Sequence, residues 1–267
     1  IMPLLDKFRM DGQVAVITGA GKGIGAAIAR AFAEVGSNVV IGARTEADLQ
    51  AVAAEVSALG AKALVVPTDV LDFDQLQRLA DSAMAEFGRI DILVNNAGGS
   101  PPKPVSQTSS REFEMALRFN VTTAFEMSRI CAPLMVDSAD GGNILNISSI
   151  AGHKPAPCFA AYGTAKGALS YLTRELAQEF APRVRVNAIA VGSTRTDALN
   201  TVLTDEIEQT MVELTPMARL GEVEDIALGA LYLCSNAASY VTGDILCVNG
   251  GMERLNMQMP RAWGGSG

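Results

Sequence analysis

Apolar runs of strand length alternate with longer stretches of helical period along most of this chain. Gln13–Thr18 is an apolar run that breaks into glycines. Gly23–Val35 then carries Ile24, Ile28, Ala31, Phe32 and Val35 at helical spacing and stops at Gly36. That spacing predicts a helix with one buried face. Further strands are predicted at Asn38–Ala43, Ala63–Pro67, Ile90–Asn95, Asn143–Ile147, Val184–Ala190 and Ile245–Val248. Between them lie helical patterns at Glu46–Leu59, Phe73–Phe87, Ser109–Val136 and Ala161–Phe180, then Asp205–Glu213 and Val223–Cys234. Pro133, late in the long fourth pattern, marks a kink or a last turn.

Strands that are apolar almost throughout, separated by helices, imply a parallel sheet covered on both faces. The fold class is therefore doubly wound α/β, as one domain over residues 1–267. No linker divides the chain; Gly99–Pro104 is too short for one and reads as a rigid loop. Composition narrows the function classes. Of the 267 residues, 49% are hydrophobic and 19% charged, which excludes disorder. Asp and Glu (29) outnumber Lys and Arg (21), and a net charge of −8 suits neither nucleic acid nor an anionic membrane. The longest apolar runs are about nine residues, far short of the roughly 20 of a spanning helix. His153 is the single histidine, and the four cysteines form no C-x-x-C. No metal site is expected, and the thiols read as reduced and cytoplasmic.

The segment Thr18-Gly-Ala-Gly-Lys-Gly-Ile-Gly25 joins the first strand to the first helix. Such a turn gathers backbone N–H groups and the positive end of a helix, a setting for pyrophosphate. The second strand ends at Ala43-Arg44, where an NAD-selective site carries an acid for the ribose 2′-OH. Here that place is neutral and a guanidinium follows, with Lys22 as a second cation inside the turn. Two cations there suit a 2′-phosphate. The preferred cofactor is thus NADP(H), with NAD(H) also possible. Glu46 and Asp48 lie near enough in sequence to neutralise Arg44.

Tyr162 and Lys166 stand four apart at the start of a predicted helix and share a face. Ser149 ends the fifth strand, thirteen residues before Tyr162, at the edge where such sheets bind ligands. A phenol titrates near pH 10, and a neighbouring ammonium favours its anion. Ser149 could hold a substrate oxygen. A Ser-His hydrolase is disfavoured, because Ile147-Ser-Ser-Ile150 is not a nucleophile elbow.

Thr18-Gly-x-x-x-Gly-x-Gly25, Asn95-Asn-Ala-Gly98, Ser149 and Tyr162-x-x-x-Lys166 together resemble the short-chain dehydrogenase/reductase family, from about Asp11 to Gly251. The resemblance implies a Rossmann fold with seven parallel strands ordered 3-2-1-4-5-6-7 and a homotetramer. It makes Tyr162 the acid/base, Lys166 the group that lowers its pKa and binds the nicotinamide ribose, and Ser149 the group that orients substrate. Asn120, in Arg118-Phe-Asn-Val121, would support a water relay. Cofactor contacts would come from Gly19, Lys22, Gly23, Ile24, Gly25, Arg44, Asp69, Val70, Asn95, Ala97, Gly98, Tyr162, Lys166, Gly192, Thr194 and Thr196. The family has Pro-Gly where this chain has Val191-Gly192. Some stretches, such as Thr196-Asp-Ala-Leu199 and Arg219-Leu-Gly221, look like bacterial 7α-hydroxysteroid dehydrogenases.

The implied function is hydride transfer between NADP(H) and a small-molecule carbonyl/alcohol pair. Val202, Leu203, Met211, Leu214 and Met217 give the segment Ser193–Met217 an apolar character. As a mobile lid, joined by the tail 252–267 from its own or a neighbouring subunit, it would select a bulky apolar substrate such as a steroid. The alternatives are a 3-oxoacyl thioester (acyl carrier protein) reductase and a non-catalytic dinucleotide-binding regulator.

Overall fold

The structure is a computed structural model and describes residues 3–200 and 203–259. Val202 and the tail from 260 to 267 lie outside the described residues. Seven strands, β1 (Val14–Thr18), β2 (Asn38–Ala43), β3 (Ala63–Pro67), β4 (Ile92–Asn95), β5 (Gly142–Ser149), β6 (Val184–Val191) and β7 (Ile245–Val248), form one sheet. Its order is β3-β2-β1-β4-β5-β6-β7, and every pairing is parallel. The helices around it are α1 (Gly23–Glu34), α2 (Glu46–Ala58), α3 (Phe73–Phe87), α4 (Ser110–Leu117), α5 (Thr123–Ala139), α6 (Ala160–Phe180), the single turn α7 (Asp197–Asn200), α8 (Asp205–Glu213) and α9 (Val223–Cys234).

Two cores follow from the two-residue alternation of strand side chains. Ala15, Ile17, Val39, Ile41 and Val94 point to one face, where α1, α2 and α9 supply Phe32, Leu49, Val52 and Ile226. Val14, Val16, Val40 and Leu93 point to the other, where α3, α5 and α6 supply Leu79, Met127, Met135 and Leu176. Each such fully buried side chain contributes roughly 1.5–3 kcal/mol. This double burial explains why the strands read as continuous apolar runs rather than alternating ones.

The long helix predicted at Ser109–Val136 is divided. Ser109 caps α4 through a capping box with Glu112, and a π-helical turn, Arg118–Thr122, separates α4 from α5. Pro133 lies inside α5 rather than in its last turn. The apolar run read as the fifth strand stops at Ile147, but β5 ends at Ser149, the residue the sequence placed at that strand's end, and β6 continues one residue past its predicted end to Val191. Those extra residues bring Ser148, Ser149 and Val191 to the carboxyl edge. That edge is also where the chain order reverses, between β1 and β4, the crevice in which open α/β sheets bind ligands.

Candidate active site

The glycine turn is built as a close-packed unit. Gly19 has φ +66°, a conformation L side chains rarely adopt. Asn96, just past β4, donates through Nδ2 to Thr18 O (3.0 Å) and Gly19 O (2.9 Å). The Thr18 hydroxyl accepts from the backbone N–H groups of Asn96 and Ala97. A Cβ on Gly25 would lie 2.5 Å from Gly19 O, so Gly25 is needed for helix-to-turn packing. Lys22 precedes α1 with no side-chain cap, which leaves the first-turn N–H groups for a ligand.

Two cavities meet at this turn and share Lys22, Asn96 and Gly98. One, of about 430 Å³, is lined among others by Gly19, Arg44, Asp69, Val70, Ala97 and Phe119. The other, of about 510 Å³, is lined among others by Gly23, Ile24, Ser149, Tyr162, Lys166, Gly192 and Thr196. A groove of two halves hinged on an uncapped helix N-terminus fits a dinucleotide with its pyrophosphate at the turn. Lys22 is paired with Asp48 (3.2 Å). The acid therefore neutralises Lys22 rather than Arg44, which is exposed and in no ion pair among the described residues.

Three residues assigned to the cofactor from sequence sit elsewhere. Asn95 is buried between sheet and helices; its Nδ2 donates to Asn146 Oδ1 (2.9 Å), Ser128 Oγ and Ala124 O. As the last strand residue it points inward, and Asn96 takes the groove position. Gly25 packs against the turn rather than lining the groove. Thr194 is buried and bridges to Gly221; it lines a separate cavity of about 450 Å³ beside Thr215 and Met217.

The other cavity half brings Ser149, Tyr162 and Lys166 together. Ser149 Oγ accepts from Ala151 N (3.1 Å), which fixes its rotamer at the strand end. Lys166 is 4% exposed and donates from Nζ to Ile147 O at 2.7 Å. Its Nζ lies 5.8 Å from the centre of the Tyr162 ring. Burial pulls the Lys166 ammonium down to about 8. Burial also pushes the Tyr162 phenol above its ordinary value, while the Ser149 hydroxyl acts in the opposite direction. In this structure burial dominates, and Tyr162 is held as a neutral phenol.

Asn120 is 1% exposed, in the π turn. It accepts from Gly99 N (2.8 Å) and donates to Gly99 O and Ala116 O. The wide turn disturbs the usual i→i−4 pairing, and the Asn120 amide serves Ala116 O. Its side chain thus clamps the loop after β4 against α4. A Cβ on Gly98 would lie 2.7 Å from Asn120 Oδ1 and 3.1 Å from Lys166 Nζ.

A hydrogen-bond chain behind the site was not evident from sequence. Ser148 Oγ donates to Lys166 O (3.0 Å) and contacts Ser170 Oγ (2.8 Å), which contacts His153 Nε2 (3.1 Å). With the Ser148 proton committed, Ser170 must donate to Ser148, and His153 must donate from Nε2. His153 is exposed. Its pKa is lowered, first by burial and then by Arg174 and Lys154. It braces the helix that carries Tyr162 and Lys166, and it does not reach the cleft. The signal available in the sequence was only the period: Lys166 and Ser170 are one turn apart.

Comparison with known proteins agrees with this geometry. The family model described as Enoyl-(Acyl carrier protein) reductase matches residues 19–253. The chain belongs to the short-chain dehydrogenase/reductase family and is an oxidoreductase acting on CH–OH groups with a nicotinamide dinucleotide. It is 46% identical to an uncharacterized oxidoreductase of Mycobacterium tuberculosis (strain CDC 1551 / Oshkosh), over 96% of this chain and 98% of that protein. It is 43% identical to the 7alpha-hydroxysteroid dehydrogenase of Escherichia coli (strain K12), over 94% of this chain and 98% of that protein. A solved 7 alpha-hydroxysteroid dehydrogenase complexed with NADH and 7-oxo glycochenodeoxycholic acid superposes with a TM-score of 0.89. The identity is 43%, over 92% of this chain and 96% of that one. Among the described residues, no helix is long and apolar enough to cross a membrane.

Proposed function

We propose that the chain interconverts a bulky apolar ketone, such as a ring ketone of a steroid, and its secondary alcohol, with NADP(H) preferred over NAD(H). The observation that carries this is the convergence of Ser149, Tyr162 and Lys166 on the cavity half that continues the glycine-turn groove. Tyr162, kept neutral by burial, donates its proton to the carbonyl oxygen, and Ser149 holds that oxygen by a hydrogen bond. Lys166 stays mostly charged at neutral pH, since its value of about 8 lies above 7. It therefore stabilises the phenolate left behind and offers its remaining protons to the cofactor ribose. The bound nicotinamide supplies the hydride, or takes it in the reverse direction.

The substrate side is read from the segment 193–217 and the relatives. Leu203 and Leu214 are half-buried, and Met217 is exposed and lines the cavity that adjoins the catalytic half at Gly192, which supports an apolar substrate side. The 43% identity to a 7alpha-hydroxysteroid dehydrogenase points the same way. The exposed Phe125 on α5 and Tyr171 on α6 fit assembly as a homotetramer, and four cysteines with no C-x-x-C among them fit a reducing, cytoplasmic setting. A second reading, reduction of an acyl carrier protein thioester, is favoured by the description of the matching family model. It would need a basic dock for an acidic partner on a chain of net charge −8.

The test is a screen of NADPH oxidation over steroid, quinone, sugar and 3-oxoacyl thioester carbonyls. The expected best substrate is a bulky apolar ketone. Tyr162→Phe should bind NADPH normally and retain less than about a hundredth of kcat, the low end of general acid catalysis. A small ionic substrate as the best would refute the apolar site, a thioester would select the second reading, and an active Tyr162→Phe would remove the assigned acid.

A further inference from the structure

The chain after β7 folds back within its own subunit. Met252 is buried, and a Cβ on Gly192 would lie 2.8 Å from Met252 Cε. Four residues on, Asn256 is 1% exposed and uses its whole amide. Its Oδ1 accepts from Ser193 Oγ at 2.5 Å. Its Nδ2 donates to Met211 O at 3.0 Å and Thr215 Oγ1 at 2.9 Å. Thr215 Oγ1 itself donates to Met211 O at 2.7 Å. One buried amide thus joins three segments that are distant in sequence. They are the loop residue Ser193, which follows Gly192 after β6, the end of α8 with the residues just past it, and the tail.

We propose that Asn256 is a positioning residue that clasps the substrate lid to the cofactor-facing segment 192–196. It rests on the reading of 193–217 as the lid above. The physical argument is about alternatives. Buried amide and hydroxyl groups cost about 1–3 kcal/mol each when left unpaired. No water-exposed arrangement of Asn256 is available without opening the core around Met211 and Met252. The surface ties of the same region, Arg195 with Glu208 and with Glu222, are partly exposed ion pairs and contribute little each. The clasp is therefore the buried side-chain restraint on the carboxyl half of the lid, beside the backbone bond from Met217 N to Gly250 O. It also makes the position of residues 211–217 depend on the position of Ser193, and so on whatever occupies the groove beside Gly192.

Ser193→Ala and Thr215→Val each remove one arm of the clasp, and Asn256→Ala removes all of it. Amide hydrogen exchange across 203–217 is the direct readout, on the apoprotein and with NADPH. Asn256→Ala should exchange about tenfold faster there than the unmodified chain, with α1–α3 unchanged. Ser193→Ala should lose the slowing that NADPH causes across 211–217. NADPH fluorescence should show its Kd raised by a few-fold in both variants. In turnover, KM for the ketone should rise while kcat falls less, since Tyr162 and Ser149 are untouched. Should Asn256→Ala fail to fold, Thr215→Val and Ser193→Ala carry the same exchange test. Unchanged exchange across 203–217 in folded variants would overturn the clasp even if the enzyme turns over ketones. Faster exchange in a protein with no activity on any carbonyl would leave the clasp standing and remove the substrate reading instead.

Discussion

Lys166 brings an ammonium into an interior where it donates a hydrogen bond to the Ile147 carbonyl. Burial lowers its value from 10.5 to about 8. Between those pH values the unfolded chain holds a proton that the folded chain has released, so stability rises with pH across that window. Below pH 8 the cost of burying the charge is fully present, on the order of 3 kcal/mol. Lys166→Met should therefore raise Tm at pH 7, and the difference from the unmodified chain should shrink toward pH 10. The same variant should lose turnover and bind NADPH less well, because the charge facing the phenol and the ribose is gone. Thermal melts at several pH values, beside NADPH titrations, check both parts. A Tm that falls at pH 7 would mean the ammonium stabilises the fold rather than straining it. Burial acts on Tyr162 in the opposite direction, raising its phenol, and leaves the tyrosine as donor.

At the scale of elements, what the chain announces is its period, and what it hides is the direction of single side chains. β2, β3, α3, α8, α9 and β7 are placed by the sequence as the structure has them, because an apolar face or run bounded by Gly or an N-cap leaves little freedom. The π turn at Arg118–Thr122 was not legible. It keeps the helical pattern on both sides and departs only in hydrogen-bond register, where Asn120 serves Ala116 O. Ser149, Tyr162 and Lys166 were legible as a motif, yet a strand correctly read as ending at Asn95 did not tell which of Asn95 and Asn96 faces the groove. Inside the fold, Asn95 stitches β4 to β5 and α5 through Asn146, Ser128 and Ala124. Asn146 continues to Thr173 on α6. Asn95→Leu would strip Asn146 Oδ1 of its donor and should lower stability by about 1–3 kcal/mol, read by urea denaturation. The Kd for NADPH in the folded fraction should stay the same. A lost affinity with unchanged stability would return Asn95 to the cofactor groove.

Over the whole molecule, charge acts at two ranges on a dinucleotide. The chain carries −8, and that overall field disfavours any anionic cofactor, more so the one with the extra phosphate. The proposed preference for NADP(H) therefore needs a local contact strong enough to reverse the general trend. Arg44 is the candidate, since Lys22 is already held by Asp48 and Ala43 offers no carboxylate to a ribose 2′-OH. A guanidinium on a partly exposed phosphate is worth about tenfold, or roughly 1.4 kcal/mol. Salt separates the two ranges. Screening the overall field helps both cofactors, NADPH the more, while screening Arg44 weakens NADPH alone, and the local contact is the larger effect. The ratio of kcat/KM for NADPH over NADH should therefore fall as salt rises from 20 mM to 500 mM (illustrative concentrations, about 20 Å and about 4 Å of screening length). Arg44→Gln should lower the low-salt ratio about tenfold and flatten its salt dependence, and adding Ala43→Asp should bring NADH ahead. A ratio near one in the unmodified chain at low salt would show that Arg44 makes no contact with the 2′-phosphate. A salt-dependent ratio that survives in Arg44→Gln would transfer the recognition to Lys22, released from Asp48 when the cofactor binds.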